Sequence, residues 1–214
     1  MNQVKTIFIV LIMIAFIGSG ATWIIQQKNL SYDCLIPGSG GKDSFFQAHI
    51  LKYKYNMHPL TVTWAPHVYT EWGWDNFQAW LAAGFDNYLM TPNPRMHRLL
   101  TRLAVENLFH PFQPFILGQK GFAPKMAALF DIPLIFYGEN EAEYGNPIKD
   151  TETAKRDWSY FSAGNNSKIY LGGVSIEDLY SFYDVSQVDL EPYIPINPTV
   201  LEEKKIEVHY LGYY

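Results

Sequence analysis

Apolar positions change their spacing regularly along the chain. Residues 32–37 (YDCLIP) read as a short buried strand, and 38–44 (GSGGKDS) as a glycine-rich turn. From Asp43 to about Tyr55 the pattern becomes helical, with Phe46, Ile50 and Leu51 at core spacing, and Asn56 and Pro59 end it. Leu60–Trp64 (LTVTW) is rich in β-branched residues and reads as a second strand. Residues 71–83 read as a helix closed by Gly84, and 85–90 as a third strand. Residues 95–108 form an amphipathic pattern with Leu99, Leu103 and either Val105 or Leu108 inward. Residues 121–130 look helical again, and 132–137 (IPLIFY) reads as a fourth strand. Strands alternating with helices predict a Rossmann-like three-layer α/β sandwich with a parallel sheet of about five strands. Beyond Asn146 the periodicity fades. Residues 147–168 read as a long polar connection, followed by a strand at 169–171, a helix near 175–183 and a strand near 206–211.

The amino terminus differs from the rest. Residues 7–17 (IFIVLIMIAFI) carry no charge, Lys5 precedes them, and small residues 18–21 lead on to Trp23, Ile24 and Ile25. A membrane-spanning helix needs about 20 mostly apolar residues, and residues 7–25 supply 19. A positive start, an apolar stretch and small residues also fit a secretory signal. A buried helix would show a polar face, and none is seen. Lys5 and Lys28 flank the run symmetrically and give no orientation. The chain therefore divides into an apolar segment (1–30), a core (31–146) and a C-terminal extension (147–214).

Composition narrows the classes. At 214 residues the chain suits one large domain, or one domain with an appendage, and can bury a core. With 48% hydrophobic and 17% charged residues it is neither disordered nor a coiled coil. Its single cysteine, Cys34, excludes a disulfide framework and a paired-cysteine zinc site, and reads as a small buried hydrophobe. The net charge of −5 argues against coating nucleic acid. Trp72, Trp74, Phe77 and Trp80 recur at helical spacing and read as core. The six histidines lack HxxxH or HExxH spacing and read as surface or supporting groups.

The chemistry concentrates in Ser39-Gly40-Gly41-Lys42-Asp43-Ser44. Glycines let backbone turn tightly, so N–H groups of the turn and of the following helix converge on one spot. Ser39 and Ser44 add hydroxyls, Lys42 a positive charge, and Asp43 either a Mg²⁺ ligand or a helix cap. Such a pocket suits pyrophosphate. It is neither a Walker loop nor a dinucleotide fingerprint, because both spacings are absent.

The run SGGKDS resembles the PP-loop of the ATP pyrophosphatase superfamily, the adenine nucleotide α-hydrolase-like enzymes. More closely, YDCLIPGSGGKDSFFQAHILK, the HPLTV strand and LIFYGENEAEYG are similar to the N-acetyl sugar amidotransferases of surface-polysaccharide biosynthesis. The resemblance runs from about Tyr32 to the end of the chain. It implies that Ser39, Gly40, Gly41, Asp43 and Ser44 hold the pyrophosphate side of ATP, with Lys42 near the phosphates. Thr63 and Trp64 would flank the adenosine. Gly138, Glu139 and Asn140 would face the same crevice, at the carboxyl end of the fourth strand. Lys42, Asp43 and Asn140 are the implied catalytic residues, and Asp43 and Glu139 the implied Mg²⁺ ligands.

The implied reaction is ATP-dependent amidation. An N-acetyl carbonyl oxygen of a UDP-N-acetyl sugar attacks the α-phosphate, pyrophosphate leaves, and ammonia displaces AMP to give an acetamidino group. Positioning and charge neutralisation would drive it. Cys34 lies in a strand and is no glutaminase nucleophile. The resemblance therefore implies a separate glutaminase with its cyclase-like companion, and no nucleic acid, in lipopolysaccharide O-antigen synthesis. The catalytic domain would be cytoplasmic, tied to the inner membrane if residues 7–25 are an anchor. The family begins with a cysteine-rich segment where this chain has the apolar run, and it continues past a segment like HYLGYY. An incomplete version of the family is therefore expected.

A membrane-anchored nucleotide-binding remnant is the non-enzyme alternative. A tRNA-thiolating relative would usually carry more cysteines, and an argininosuccinate- or GMP-synthase-like ligase would lack the YGEN strand end. Lys120 and Lys125 precede the fourth strand, where related folds steady the leaving pyrophosphate, but they read first as surface residues. Of Glu139, Glu141 and Glu143, Glu139 is the metal candidate. The sequons at Asn29 and Asn165 read as chance.

If residues 7–25 are an anchor, the full chain should sediment with membranes and resist carbonate extraction. A chain starting near Ser31 should stay in the supernatant.

Overall fold

The computed structural model describes residues 32–138, 153–157, 160–161 and 168–213. The apolar run at 7–25, Glu139, Asn140, Glu141, Glu143 and both sequons lie outside these. Among the described residues no helix is long and apolar enough to cross a membrane.

The chain begins with β1 (Cys34–Pro37), α1 (Lys42–His49), a π turn over Ile50–Lys54, and β2 (Pro59–Trp64). Next come α2 (Glu71–Ala82), β3 (Asp86–Met90), α3 (Pro94–Leu108), α4 (Gln113–Leu129) and β4 (Leu134–Tyr137). The later part supplies β5 (Lys155–Arg156), a hairpin of β6 (Tyr170–Leu171) and β7 (Val174–Ser175), α5 (Ile176–Phe182) and α6 (Gln187–Leu190). A 3-10 turn at Glu191–Tyr193, α7 (Pro198–Glu203) and β8 (Glu207–Tyr210) complete it.

The main sheet runs β3-β2-β1-β4-β8-β5. All its pairs are parallel except β5 with β8. The fold is therefore Rossmann-like, with a sixth, antiparallel edge strand in the stretch that reads as a connection. Strand alternation sorts the core into two layers. Cys34, Ile36, Leu134 and Phe136 face α1 and α2, packing on Ala48, Phe77 and Trp80. Leu35, Leu60, Val62, Ile135 and Val208 face α4 and α7, packing on Ala123, Ala127 and Leu201. A satellite core joins Met96, Leu100 and Leu103 of α3 to Leu171, Leu179 and Tyr193. Burial raises the pKa of the Cys34 thiol, as a structural cysteine requires.

Several side chains sit differently from their sequence spacing. Phe46 is exposed, and Gln47 and Ala48 face the core instead. The cause is a hydrogen bond: Gln47 Nε2 donates to the Phe136 carbonyl at 2.7 Å, which sets the rotation of α1. Phe77 and Trp80 are core, but Trp72 and Trp74 point outward. Two histidines are buried rather than superficial. His97 Nδ1 lies 2.9 Å from Tyr193 Oη, and burial, with His67 beside it, pushes its pKa down to about 4. His209 Nε2 is 3.0 Å from Glu207, and that contact, with Lys155, holds the Glu207 carboxyl at about 2 despite burial.

The largest departure is α4. It starts at Gln113 rather than 121 and runs through Gly118, Gly121 and Pro124. A Cβ on Gly118 would lie 2.1 Å from Trp64 Cζ2, so the glycine exists to let the indole approach the helix. Replacing a helical glycine by alanine ordinarily gains about 1 kcal/mol. At Gly118 the overlap with a wedged indole outweighs that gain. Gly118→Ala should destabilise by a net ~1–3 kcal/mol. At Gly121 a Cβ meets only the Ile194 carbonyl, at 3.9 Å. Gly121→Ala should therefore be neutral or stabilising when both variants are compared by urea unfolding.

Candidate functional site

The strand order reverses direction between β1 and β4. Chains leaving such strands diverge and open a crevice at their carboxyl ends. A cleft of about 420 Å³ occurs there, between the loop after β1, the starts of α1 and α2, and one face of α4.

The loop is positioned from below. Gly38 N–H donates to the Val62 carbonyl at 2.9 Å, and Thr63 Oγ1 donates to the Gly38 carbonyl at 2.6 Å. Asn87 Nδ2 in turn donates to Thr63 Oγ1 at 3.3 Å. Gly40 has φ +88°, and a Cβ there would fall 2.2 Å from the Asn76 carbonyl. Only glycine fits. Gly41 is the N-cap of α1 and makes no side-chain capping bond. The first-turn N–H groups of α1 are thus left without a side-chain cap at the positive end of the helix. Behind the loop Gly138 packs closely on α1: a Cβ would stand 2.8 Å from the Asp43 carbonyl.

The cleft has two ends of different chemistry. Ser39, Gly41, Asp43 and Ser44 line one end, and Ser44 Oγ donates to the Gly41 carbonyl at 3.0 Å. Val62, Trp64, Pro66, Tyr69, Phe115 and Phe122 form an apolar, aromatic wall at the other. Asn76, Gln119 and Tyr137 lie among the remaining lining residues. Two donors on the aromatic wall, Trp64 Nε1 and Tyr69 Oη, are buried without a hydrogen-bond partner. Burial also raises the Tyr69 pKa, which keeps that hydroxyl a donor. Trp64 and Phe122 also wall a second, mostly apolar cavity of about 470 Å³ beside Glu191–Asn197.

The residues singled out in the sequence fall into four groups. Ser39, Gly41, Asp43, Ser44 and Trp64 meet in the cleft. Gly40, Thr63 and Gly138 shape it from behind. The Lys42 side chain is 92% exposed, 4.0 Å from the Asp43 carboxylate, and does not line the cleft. Glu139 and Asn140 lie outside the described residues. Among the described residues no group of three or more His, Cys, Asp and Glu side chains could hold a metal ion. Lys125 is not a free surface cation: its ammonium is 3.0 Å from Glu191 and largely buried.

Sequence reading missed Tyr69, Asn76, Phe115, Gln119, Phe122 and Tyr137. Tyr69 follows the carboxyl end of β2, a position the crevice rule points to. Phe115, Gln119 and Phe122 share one helical face, which shows only once α4 is known to start at Gln113.

No protein-family model matches the sequence, and no curated protein does. Among solved structures, the chain is similar to an NH3-dependent NAD synthetase from Campylobacter jejuni in complex with the nitrate ion. The TM-score is 0.43 and the identity 14%, over 59% of this chain and 57% of that one. It is also similar to a protein described as a predicted subunit of tRNA methyltransferase from Methanocaldococcus jannaschii. There the TM-score is 0.40 and the identity 15%, over 84% of this chain and 66% of that one. The chain thus spans little more than half of the synthetase's length. The site's chemistry is therefore read from the cleft's own geometry.

The two loop glycines should behave oppositely. Gly40→Ala combines an unfavourable φ with a backbone clash and should cost at least ~1–2 kcal/mol. Gly41 has extended backbone and open space for a Cβ. Gly41→Ala should stay within about 0.5 kcal/mol of wild type in thermal melts.

Proposed function

We propose that the cleft binds ATP and that the chain is a PP-loop-type ATP-using enzyme. One observation carries this reading. A single crevice joins a phosphate-type loop at one end to an aromatic wall with two unpartnered buried donors at the other. A nucleotide has that same division, with charged phosphates at one end and a flat, polar-edged base at the other. In this reading Ser39, Ser44 and the α1 N–H groups take phosphate oxygens. Trp64 and Tyr69, on the aromatic wall, take the base and ribose. Thr63 acts through the loop carbonyl it holds. Asp43 is the described residue suited to Mg²⁺, which when bound would neutralise phosphate charge. The protein's own task is to hold the α-phosphate in line with an attacking oxygen and to keep water out.

For the second substrate we propose an N-acetyl sugar carried on a nucleotide. Its carbonyl oxygen attacks the α-phosphate with loss of pyrophosphate, and ammonia then displaces AMP to leave an acetamidino group. The support is the likeness of the 32–52 and 134–145 stretches to N-acetyl sugar amidotransferases. The same reading assigns the ammonia to a partner glutaminase, and the reaction to the cytoplasm and to surface-polysaccharide synthesis.

Calorimetry with ATP and Mg²⁺ tests the nucleotide part. The Gly41→Val, Asp43→Ala double variant should bind at least about tenfold more weakly than wild type, the loss expected when charge-assisted contacts go. Equal heats would remove the assignment. Pyrophosphate release that requires a UDP-N-acetyl sugar and ammonium salt would support the sugar part. Release requiring tRNA instead would transfer the enzyme to a different substrate class.

A further inference from the structure

We propose that β3 is an interface between two copies of this chain, which pair edge to edge and antiparallel about Tyr88. β3 ends the sheet, and among the described residues only β2 pairs with it. β2 is buried along its whole length, whereas Tyr88 and Leu89 are each 46% exposed. Their side chains point to opposite faces. Leu89 is opposite Thr63 in the ladder, and Tyr88 is opposite Val62, on the α4 face, where its ring lies 4.9 Å from that of Phe130. Leu129 of α4 is 70% exposed as well. Open edges are ordinarily blunted by Lys, Pro or a bulge. β3 (DNYLM) carries neither Lys nor Pro, and its ladder with β2 has no bulge. Its one charge, Asp86, accepts from Tyr32 Oη at 2.9 Å.

The backbone fixes the register. Ala65 N–H donates to the Met90 carbonyl at 2.9 Å, so Met90 directs its peptide groups toward β2. Alternation along a parallel ladder does the same for Asp86 and Tyr88, and turns the N–H and C=O of Asn87 and Leu89 outward. Those outward groups are symmetric about Tyr88. A second β3, antiparallel and centred on Tyr88, sets Asn87 against Leu89, and such a pair exchanges both its N–H···O=C bonds. The two-fold axis repeats that pair, and Tyr88 meets Tyr88 at the close, non-hydrogen-bonded position. Centring on Asn87 or Leu89 instead would run each strand past the end of the other.

Charge and packing single out a second copy as the occupant. Asp86 falls opposite Met90, so the two carboxylates stand at opposite ends of the paired strands and no like charges meet. The axis is perpendicular to the joined sheet. It keeps α4 of both copies on one face and turns the exposed Tyr88 and Leu129 of each toward those of the other. The pairing also reaches the cleft. Asn87 Nδ2 donates to Thr63 Oγ1, which in turn holds the Gly38 carbonyl. A partner strand on the Asn87 backbone would therefore stand two side-chain hydrogen bonds from the loop. The interface does not rest on the proposed nucleotide chemistry.

Analytical ultracentrifugation of the full chain in detergent tests the interface. At tens of micromolar the wild type should be a dimer, and Leu89→Lys should raise its dissociation constant at least about tenfold. Oxidative cross-linking tests the register. Cys34 is buried and does not compete. Tyr88→Cys places two thiols at the close pair, within the Cα separation that a disulfide spans. Leu89→Cys places its thiols on either side of the axis, out of register, and should cross-link at least about fivefold less. If Leu89→Lys does not fold, as judged by circular dichroism, the cross-linking comparison decides alone. A monomeric wild type overturns the interface and leaves the edge to another segment or another protein. A dimer that Leu89→Lys leaves intact, as one held by residues 7–25 would be, overturns it too. So does cross-linking that is equal at the two positions.

Discussion

The first turn of α1 lies against the backbone that leaves β4, and the cleft is arranged around that contact. Gly138 allows it, since any Cβ would meet the Asp43 carbonyl. The Gln47 amide fixes it one turn later by donating to Phe136. Together they set both the rotation of α1 and the direction in which its uncapped N–H groups point. Thr63 and Asn87 do the same for the other end of the loop. The loop after β1 is local in sequence, but its aim is set by residues from β2, β3 and β4.

Much of this was legible in the sequence where local chemistry and tertiary packing agree. The strands at Cys34–Pro37, Pro59–Trp64 and Leu134–Tyr137 are buried on both faces, so apolar, β-branched runs betray them. The loop was legible because its glycines serve backbone geometry. α4 was not, because Gly118, Gly121 and Pro124 look like breakers and the reason for Gly118 sits on another element. Strand alternation separates Trp64, in the cleft, from Thr63, behind it, which proximity in sequence does not. The rest of the aromatic wall stayed hidden because Tyr69 lies in the loop after β2 and Phe115 and Phe122 on α4, far apart in the chain. Residues 147–214, set apart by composition, supply an interior strand and an edge strand to the same sheet.

Charge is partitioned as carefully as shape. The loop end of the cleft presents peptide dipoles and hydroxyls, with the Lys42 ammonium turned to solvent. The Lys120 ammonium and the Arg156 guanidinium stand instead against Tyr160, beyond the Tyr137 stack. Dipoles that are fixed before a ligand arrives need no reorganisation, whereas side-chain cations can follow a group as it moves.

The position of β8 has a kinetic consequence. It sits between β4 and β5, yet follows both in the chain, so β5 has no neighbour in the sheet until β8 is in place. Until then β4 presents a bare apolar edge made of Leu134, Ile135 and Phe136. The units β1–α1–β2 and β2–α2–β3 close over short separations, whereas β4 waits for a partner some seventy residues away, and long closures are slow. The half-built sheet is therefore the species most exposed to intermolecular strand pairing. Conditions that lengthen its lifetime should favour aggregation over the native state, even where the finished protein is stable.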